Sequence, residues 1–433
     1  MRAAITSLPP IFPELHGALR LSPASQSVLA AIPVVCFGLF SGIAAPLSRV
    51  FGEERVLGAA LTLLAAGLLL RGAAPSTLLL PGTVLAGLAI ALMNVLLPSL
   101  VKRRWPERAG LLIGLYLMSL SAGAIVASLI AVPVYQAAGG TTAVRLSLGM
   151  WAVPALIAAA VWLPQLRYRT RPGPGQSEIA EPGVPDHGAA DHGAADHGAA
   201  GTAAGTAAAG TAAAGGAAGA TAEGGAGQGP RLALARTPLA WQVTAFMGLQ
   251  SLVYYASLSW FPTIFRDRGV SAVHAGTLLA VMNLGNAVTA LLIPVLAHRR
   301  PDQRLLALVA SLVTGAGLAL AAFGPLGGAA PFTFLLGLGQ GATLGLGIFY
   351  TMARAPDAAT AASLSAFAQS IGYLLASTGP LLLGFLHTAT GGWNIPVWVL
   401  LGIVVLQLAS GWLAGRARTV PLLVRPARGA DRG

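Results

Sequence analysis

Few side chains in this sequence could do chemistry, and most of those stand inside long apolar runs. Asn94 is the one strongly polar residue in the middle of the run at 77–101. Gln250 and Tyr254, in the run at 239–265, are four residues apart and therefore share a face of any helix built there, with Tyr255 beside it. Gln340 sits in the glycine-rich stretch GLGQGATLGLG, and Gln369 and Tyr373 repeat the four-residue spacing in the run at 360–387. Tyr116 adds a phenol in the run at 109–136. A polar group in hydrocarbon costs several kcal/mol unless it finds a partner, so these residues are candidates for contact with a solute. The plainer role for each is an interhelical clasp worth about 1 kcal/mol.

What is missing is equally informative. All fourteen Asp and Glu residues fall in connections, tail or the ends of apolar runs. A buried carboxylate is a common proton relay in membranes, and here only Glu14, with His16 nearby, comes close. These two are the proton-coupling candidates. His387, at the end of a run, reads as an ordinary solvated histidine. The glycines around Gln340 are not a phosphate cradle, because no Gly-Lys-Ser/Thr follows them; they suit close helix contact. No carboxylate cluster or nucleophile–base pair is visible, so no catalytic residue, metal or cofactor is expected. Three Asp-His pairs, at 186–187, 191–192 and 196–197, belong to copies of DHGAA and have no element to organise them around a metal. The single cysteine, Cys36, excludes an intrachain disulfide and reads as a packing residue.

The elements that must position these residues are set by composition. Of 433 residues 55% are hydrophobic and only 9% charged, against about 25% charged in soluble domains, so the natural solvent is lipid. Apolar runs at 27–50, 55–72, 77–101, 109–136 and 142–166 are followed, after a polar gap, by runs at 239–265, 272–297, 303–324, 330–353, 360–387 and 392–415. They predict eleven membrane helices, with the N-terminal stretch MRAAITSLPPIFPELHGAL a weak twelfth. Twenty of the 26 lysines and arginines lie in connections on one face, and five, Arg20, Arg71, Arg145, Arg266 and Arg268, on the other. That bias places both termini in the cytoplasm and accounts for the net charge of +12 without nucleic acid. No basic segment leads into a clean apolar core at the start, so no secretory signal peptide is expected.

The two sides of the gap resemble each other. Phe12-Pro13 matches Phe261-Pro262, Ser22 matches Ser271, Arg104 and Pro106 match Arg354 and Pro356, and QAAGG matches TATGG, all in the same order and at a nearly constant offset. Parallel six-helix repeats joined by a long loop are a transporter architecture. The expected division is a six-helix bundle over 1–166, a low-complexity cytoplasmic linker over 167–236, a second bundle over 237–416 and a basic tail over 417–433. Comparison of the repeats also predicts that the first helix lacks roughly ten residues of its cytoplasmic end.

The connection after the second helix reads GIAAPLSRVFGEERVL, and it resembles the G-x-L-a-D-R-x-G-R-R pattern of the major facilitator superfamily. Gly52 and Arg55 fit, Arg49 stands where that pattern has its aspartate, and Glu53 and Glu54 occupy basic positions. MRAAITSLPP resembles an N-L-R-P-A-I-T-S-x-x-P motif. MNVLLPSLVKRRWP, PLAWQVTAFMGLQSLVYYASLSWFP and FAQSIGYLLASTGPLLLGFLHTATGGW are similar to further signature segments of the cyanate/nitroimidazole transporter family. The resemblance implies an all-α, 12-helix (6+6) fold, with spans one, four, seven and ten lining a cavity. It also implies that Arg2 stands at the motif's arginine in the first helix, where a guanidinium would offer a planar fork to a small anion or nitro group.

The expected activity is secondary or facilitated transport of a small solute, such as cyanate or a planar heterocycle, across an inner membrane by alternating access. Arg2, Asn94, Gln250, Tyr254, Gln340, Gln369 and Tyr373 are its expected contacts, Arg49, Gly52 and Arg55 its conformational loop. Expected partners are the solute, the bilayer and protons as a coupling ion, with the chain acting as a monomer. The alternatives are a non-transporting sensor or scaffold derived from a carrier and, further off, an integral-membrane enzyme.

Overall fold

The computed structural model describes residues 2–19, 21–73, 76–138, 140–167 and 234–421. The Asp-His repeats of the linker and the end of the basic tail lie outside them, as does the side chain of His16. Among the described residues the regular structure is helical. In the first half, α1 (Arg2–Thr6), α2 (Phe12–Leu19), α3 (Pro23–Phe40), α4 (Ala44–Phe51), α5 (Glu53–Gly72), α6 (Ser76–Arg104), α7 (Ala109–Ala137), α8 (Gly140–Gly149) and α9 (Ala152–Trp162) make up six passes. In the second, α10 (Pro238–Asp267), α11 (Ala272–His298), α12 (Arg304–Phe323), α13 (Ala329–Ala353), α14 (Ala358–Thr390) and α15 (Asn394–Ala414) make one pass each.

Among the described residues ten helices are long and apolar enough to cross a bilayer, one fewer than the apolar runs predict. The difference is α10. This 30-residue helix buries Thr244, Gln250, Ser251, Ser257 and Ser259. Such groups lower its mean hydropathy but are shielded by neighbouring helices, so lipid need not accommodate them. Elsewhere large apolar side chains point outward, with Leu111, Val161 and Phe385 exposed by 70% or more, as a lipid-covered surface requires.

The first pass is broken by its own sequence. Pro9 and Pro10 carry no backbone N–H, and a short 3-10 turn over Pro9–Ile11 separates α1 from α2. The N–H of Leu8 bonds to the Ile5 carbonyl, not to that of Ala4. The Ala4 carbonyl instead accepts a hydrogen bond of 2.7 Å from Arg71. Arg71 belongs by count to the set opposite the linker, yet only 2% of it is exposed. Its guanidinium turns inward because the break leaves it an acceptor.

The repeat is visible in local detail. Ser22 caps α3 by accepting from the Ser25 N–H at 3.2 Å, and Ser271 caps α11 from the His274 N–H at 3.3 Å. The equivalent arginines Arg104 and Arg354 both reach the end of the sixth pass of their own half. Arg104 donates to Gln165 at 3.0 Å, and Arg354 donates to the Ala414 carbonyl at 2.8 Å and the Gly415 carbonyl at 3.1 Å. Related helix pairs recur too: α3 on α6 and α11 on α13, α1 on α7 and α10 on α14.

The halves meet along two helix pairs, α3 with α14 and α7 with α11. Small residues allow the close approach. A Cβ on Gly276 would lie 2.7 Å from the Ser128 carbonyl, and one on Gly384 would lie 1.9 Å from the Ser27 Oγ. Ser27 and Gly276 each lie five residues beyond their capping serine, so the two seams are related by the same repeat. Both seams lie away from the face where residues 167 and 234 end and begin, called here the linker face. Across the same closed end, Glu14 of α2 forms an ion pair with Arg266 of α10, and the Phe12 and Trp260 rings pack at 6.1 Å.

At the linker face the α4–α5 turn passes through Gly52 at φ 89°, a backbone region that favours glycine. Arg49 and Arg55 beside it are exposed. Glu53, at a position read as basic in the family pattern, is buried. It pairs with Arg103 at the end of α6 and accepts from Ser99 Oγ at 3.0 Å.

Candidate binding site between the halves

Ile5, Tyr255 and Tyr373 each pack against the buried cores of both halves, and there the halves part to leave a cavity. Its walls come from α1, α3, α6 and α7 on one side and α10, α11, α13 and α14 on the other. Going toward the linker face it is lined by Ser41, Leu291, Ile348 and Ala366. Toward the opposite face it meets the packed seams of Ser27–Gly384 and Ser128–Gly276. The cavity thus belongs to the middle and linker-side half of the molecule.

Arg2 is the one charged residue among the described residues lining this space, and no carboxylate lines it. Its guanidinium carbon lies 5.9 Å from the centre of the Tyr254 ring, a cation–π distance. The short α1 is held in place by Thr6, whose hydroxyl donates to the Arg2 carbonyl at 3.1 Å and to the Ala124 carbonyl of α7 at 3.4 Å. Tyr254 donates to Asn283 Oδ1 at 3.1 Å, and Asn283 in turn donates to the Leu279 carbonyl, so the phenol is fixed. Tyr255 stands edge-on to Tyr254, with ring centres 5.2 Å apart. From the other half Tyr116 donates to Asn94 Oδ1 at 3.0 Å, leaving the amide N–H₂ of Asn94 at the cavity. Tyr373 packs edge-on against Phe37 at 5.8 Å, and Gln369 donates to Ser365 Oγ at 2.8 Å.

The cavity therefore gathers Arg2, Asn94, Tyr254, Gln369 and Tyr373 from the expected set, with Tyr116 and Tyr255 beside them. Gln250 and Gln340 do not line it. Met247, Tyr254, Tyr255 and Leu258 define the cavity face of α10. At about 100° per residue Gln250 falls to one side of that face, where its amide donates to the Met247 carbonyl at 3.1 Å and to Ser251 Oγ at 2.7 Å. Gln340 is in register with Leu344 and Ile348 of α13 but a turn farther from the linker face. It is buried there without a hydrogen-bond partner for its amide. Glu14 is engaged at the closed end of the molecule, as described.

One site residue escaped the sequence reading. Asn286 of α11 is 3% exposed and lines the cavity, and its Nδ2 has no hydrogen-bond partner. The signal was present, since Asn283 and Asn286 interrupt the apolar run at 272–297 just as Asn94 interrupts its own.

Residues 1–377 match the family model described as Major Facilitator Superfamily. The chain belongs to this superfamily. Within it, the chain is 34% identical to the 2-nitroimidazole transporter of Escherichia coli (strain K12), over 97% of this chain and 93% of that one. It is 27% identical to the cyanate transport protein CynX of the same organism, over 94% of this chain and 93% of that one. These relatives place it in the cyanate/nitroimidazole transporter family. In three dimensions it is similar to a bacterial homolog of the human lysosomal transporter Spinster, in an inward-facing and unoccupied conformation. The TM-score is 0.68 at 15% identity, covering 96% of this chain and 94% of that one. This member of the superfamily is a multi-pass membrane transporter for a small molecule, with its cavity where the two repeats meet.

Proposed function

We propose that this transporter carries a small planar anion or a polar heterocycle, of the size of cyanate or a nitroimidazole, across the inner membrane by rocking residues 1–166 against residues 237–416. The observation that carries the reading is Arg2: among the described residues it is the one charged group lining a cavity of tyrosines and amides between the halves. A guanidinium offers paired donors to a carboxylate, cyanate or nitro group, and tyrosine faces accept a flat solute. Names of relatives support the substrate class, since one is named for 2-nitroimidazole and another for cyanate. Asn94, Asn286 and Gln369 supply neutral hydrogen bonds that orient the solute.

The excess of arginine at the linker face supports placing that face and both termini in the cytoplasm. The cavity then opens inward, and the Glu14–Arg266 pair closes the outer end. The transporter acts as a monomer, since each monomer contains both walls of the cavity. Uptake of labelled cyanate and 2-nitroimidazole into proteoliposomes tests the reading. Protein-dependent uptake that falls at least tenfold in Arg2→Ala is expected. Uptake of both probes no faster than in protein-free vesicles would remove the assignment.

A further inference from the structure

We propose that the transporter is an anion exchanger, in which reorientation of the empty carrier is slow because Arg2 would then be sealed away from water without a counter-charge. The inference rests on the anion reading above and adds the mode of transport.

Among the described residues Arg103 has Glu53, Arg266 has Glu14, Arg354 has Gln303 and two carbonyls, and Arg71 has the Ala4 carbonyl for one nitrogen while its Nε and Nη2 have no partner. Arg2 differs from these in lining the space between the halves. It faces the Tyr254 ring and makes no ion pair among the described residues. The phenol of Tyr254 and the Oδ1 of Asn94 are already engaged, with Asn283 and Tyr116. Both groups are neutral, so neither supplies a counter-charge.

While the cavity is open at the linker face, water solvates the guanidinium. To expose the other side, that end must close over Arg2 before the Ser27–Gly384 and Ser128–Gly276 seams part. In that occluded state an empty site holds an unpaired cation in a low-dielectric interior, which is strongly unfavourable. A bound anion supplies the missing charge and charge-assisted hydrogen bonds. The barrier is therefore lowest when the site is loaded in both directions, and one anion leaves as another enters. No covalent step and no titrating carboxylate are needed.

The purified full chain is reconstituted into vesicles whose membrane potential is clamped with potassium and valinomycin. The interior holds either potassium sulfate or unlabelled potassium cyanate. Initial uptake of labelled cyanate is measured after subtraction of protein-free vesicles. Exchange predicts uptake at least tenfold faster into the cyanate-loaded vesicles. It also predicts that Arg2→Lys keeps most of this ratio and Arg2→Gln brings it close to one, with thermal unfolding of both variants checked against the parent. Equal protein-dependent rates into loaded and sulfate-filled vesicles overturn the exchange mode and leave the carrier reading standing. Protein-independent flux in both conditions, repeated with 2-nitroimidazole, overturns the carrier reading on which the mode depends.

Discussion

The guanidinium of Arg2 lies 5.9 Å from the ring of Tyr254, a residue more than two hundred positions away in the other half of the chain. This contact crosses the boundary between the halves. The charge of the first pass and the aromatic wall of the seventh thus belong to one site. Removing the charge should affect binding more than folding. Arg2→Ala is expected to weaken cyanate binding by about 10- to 100-fold, as loss of charge-assisted hydrogen bonds worth about 1.5–3 kcal/mol implies. Ligand-induced thermal stabilisation measures this, and equal stabilisation of parent and variant would place the anion elsewhere.

Asn286 lines the cavity, and its amide Nδ2 is buried without a hydrogen-bond partner. An unsatisfied buried donor destabilises by about 1–3 kcal/mol, so its replacement by an apolar side chain of similar size should not harm the fold. Asn286→Leu is expected to unfold at the same temperature or higher while raising the KM for transport several-fold. A large drop in unfolding temperature with an unchanged KM would show that Asn286 is a packing residue.

Glu14 and Arg266 tie the halves together at the closed end. A partly exposed pair of this kind contributes about 1 kcal/mol, or roughly a fivefold shift in a two-state population. Glu14→Gln should populate more of the state that is open at this end. Ser27→Cys, placed in a Cys36→Ala background, reports on it, because Ser27 is 3% exposed in the conformation described here. Its labelling by a membrane-impermeant maleimide should accelerate about fivefold with Glu14→Gln. An unchanged labelling rate would mean that this pair does not govern the outer seam.

Gly276 tests the second seam. A methyl group there meets the Ser128 backbone carbonyl at 2.7 Å, and backbone cannot swing aside as a side chain can. Gly276→Ala should disfavour the form closed at this seam and slow transport at least several-fold without unfolding the protein. Full activity in this variant would show that the halves never close as tightly as this seam implies.

Glu53 is buried at the linker face with Arg103 as its ionic partner. Removing one member strands the other charge, at a cost on the order of 3 kcal/mol. Arg103→Ala should therefore lower the unfolding temperature, and Glu53→Gln in the same chain should restore much of it. If the double variant is no more stable than Arg103→Ala, the pair is not what holds this turn.

The sequence by itself determined the passes through the membrane, the unequal share of arginine between the two faces and the repeat. Each follows from local or additive quantities: the transfer of an apolar segment into lipid, the count of arginines beside it, and the order of landmarks such as Ser22 and Ser271. It also marked Asn94, Tyr254, Gln369 and Tyr373 as polar groups in apolar surroundings. Tertiary structure decided which polar groups share one space. Gln250 and Tyr254 have ideal spacing for a common face, yet packing against α14 and α11 turns α10 so that the tyrosine meets the cavity and the glutamine does not. Asn286 enters by the same kind of rotation on α11, Arg71 turns inward only because the proline break offers it a carbonyl, and Glu53 is buried only because Arg103 comes to meet it. Hydrophobicity fixes that a helix crosses the membrane but leaves its rotation nearly free. Close contact between small residues sets that rotation, and with it the site.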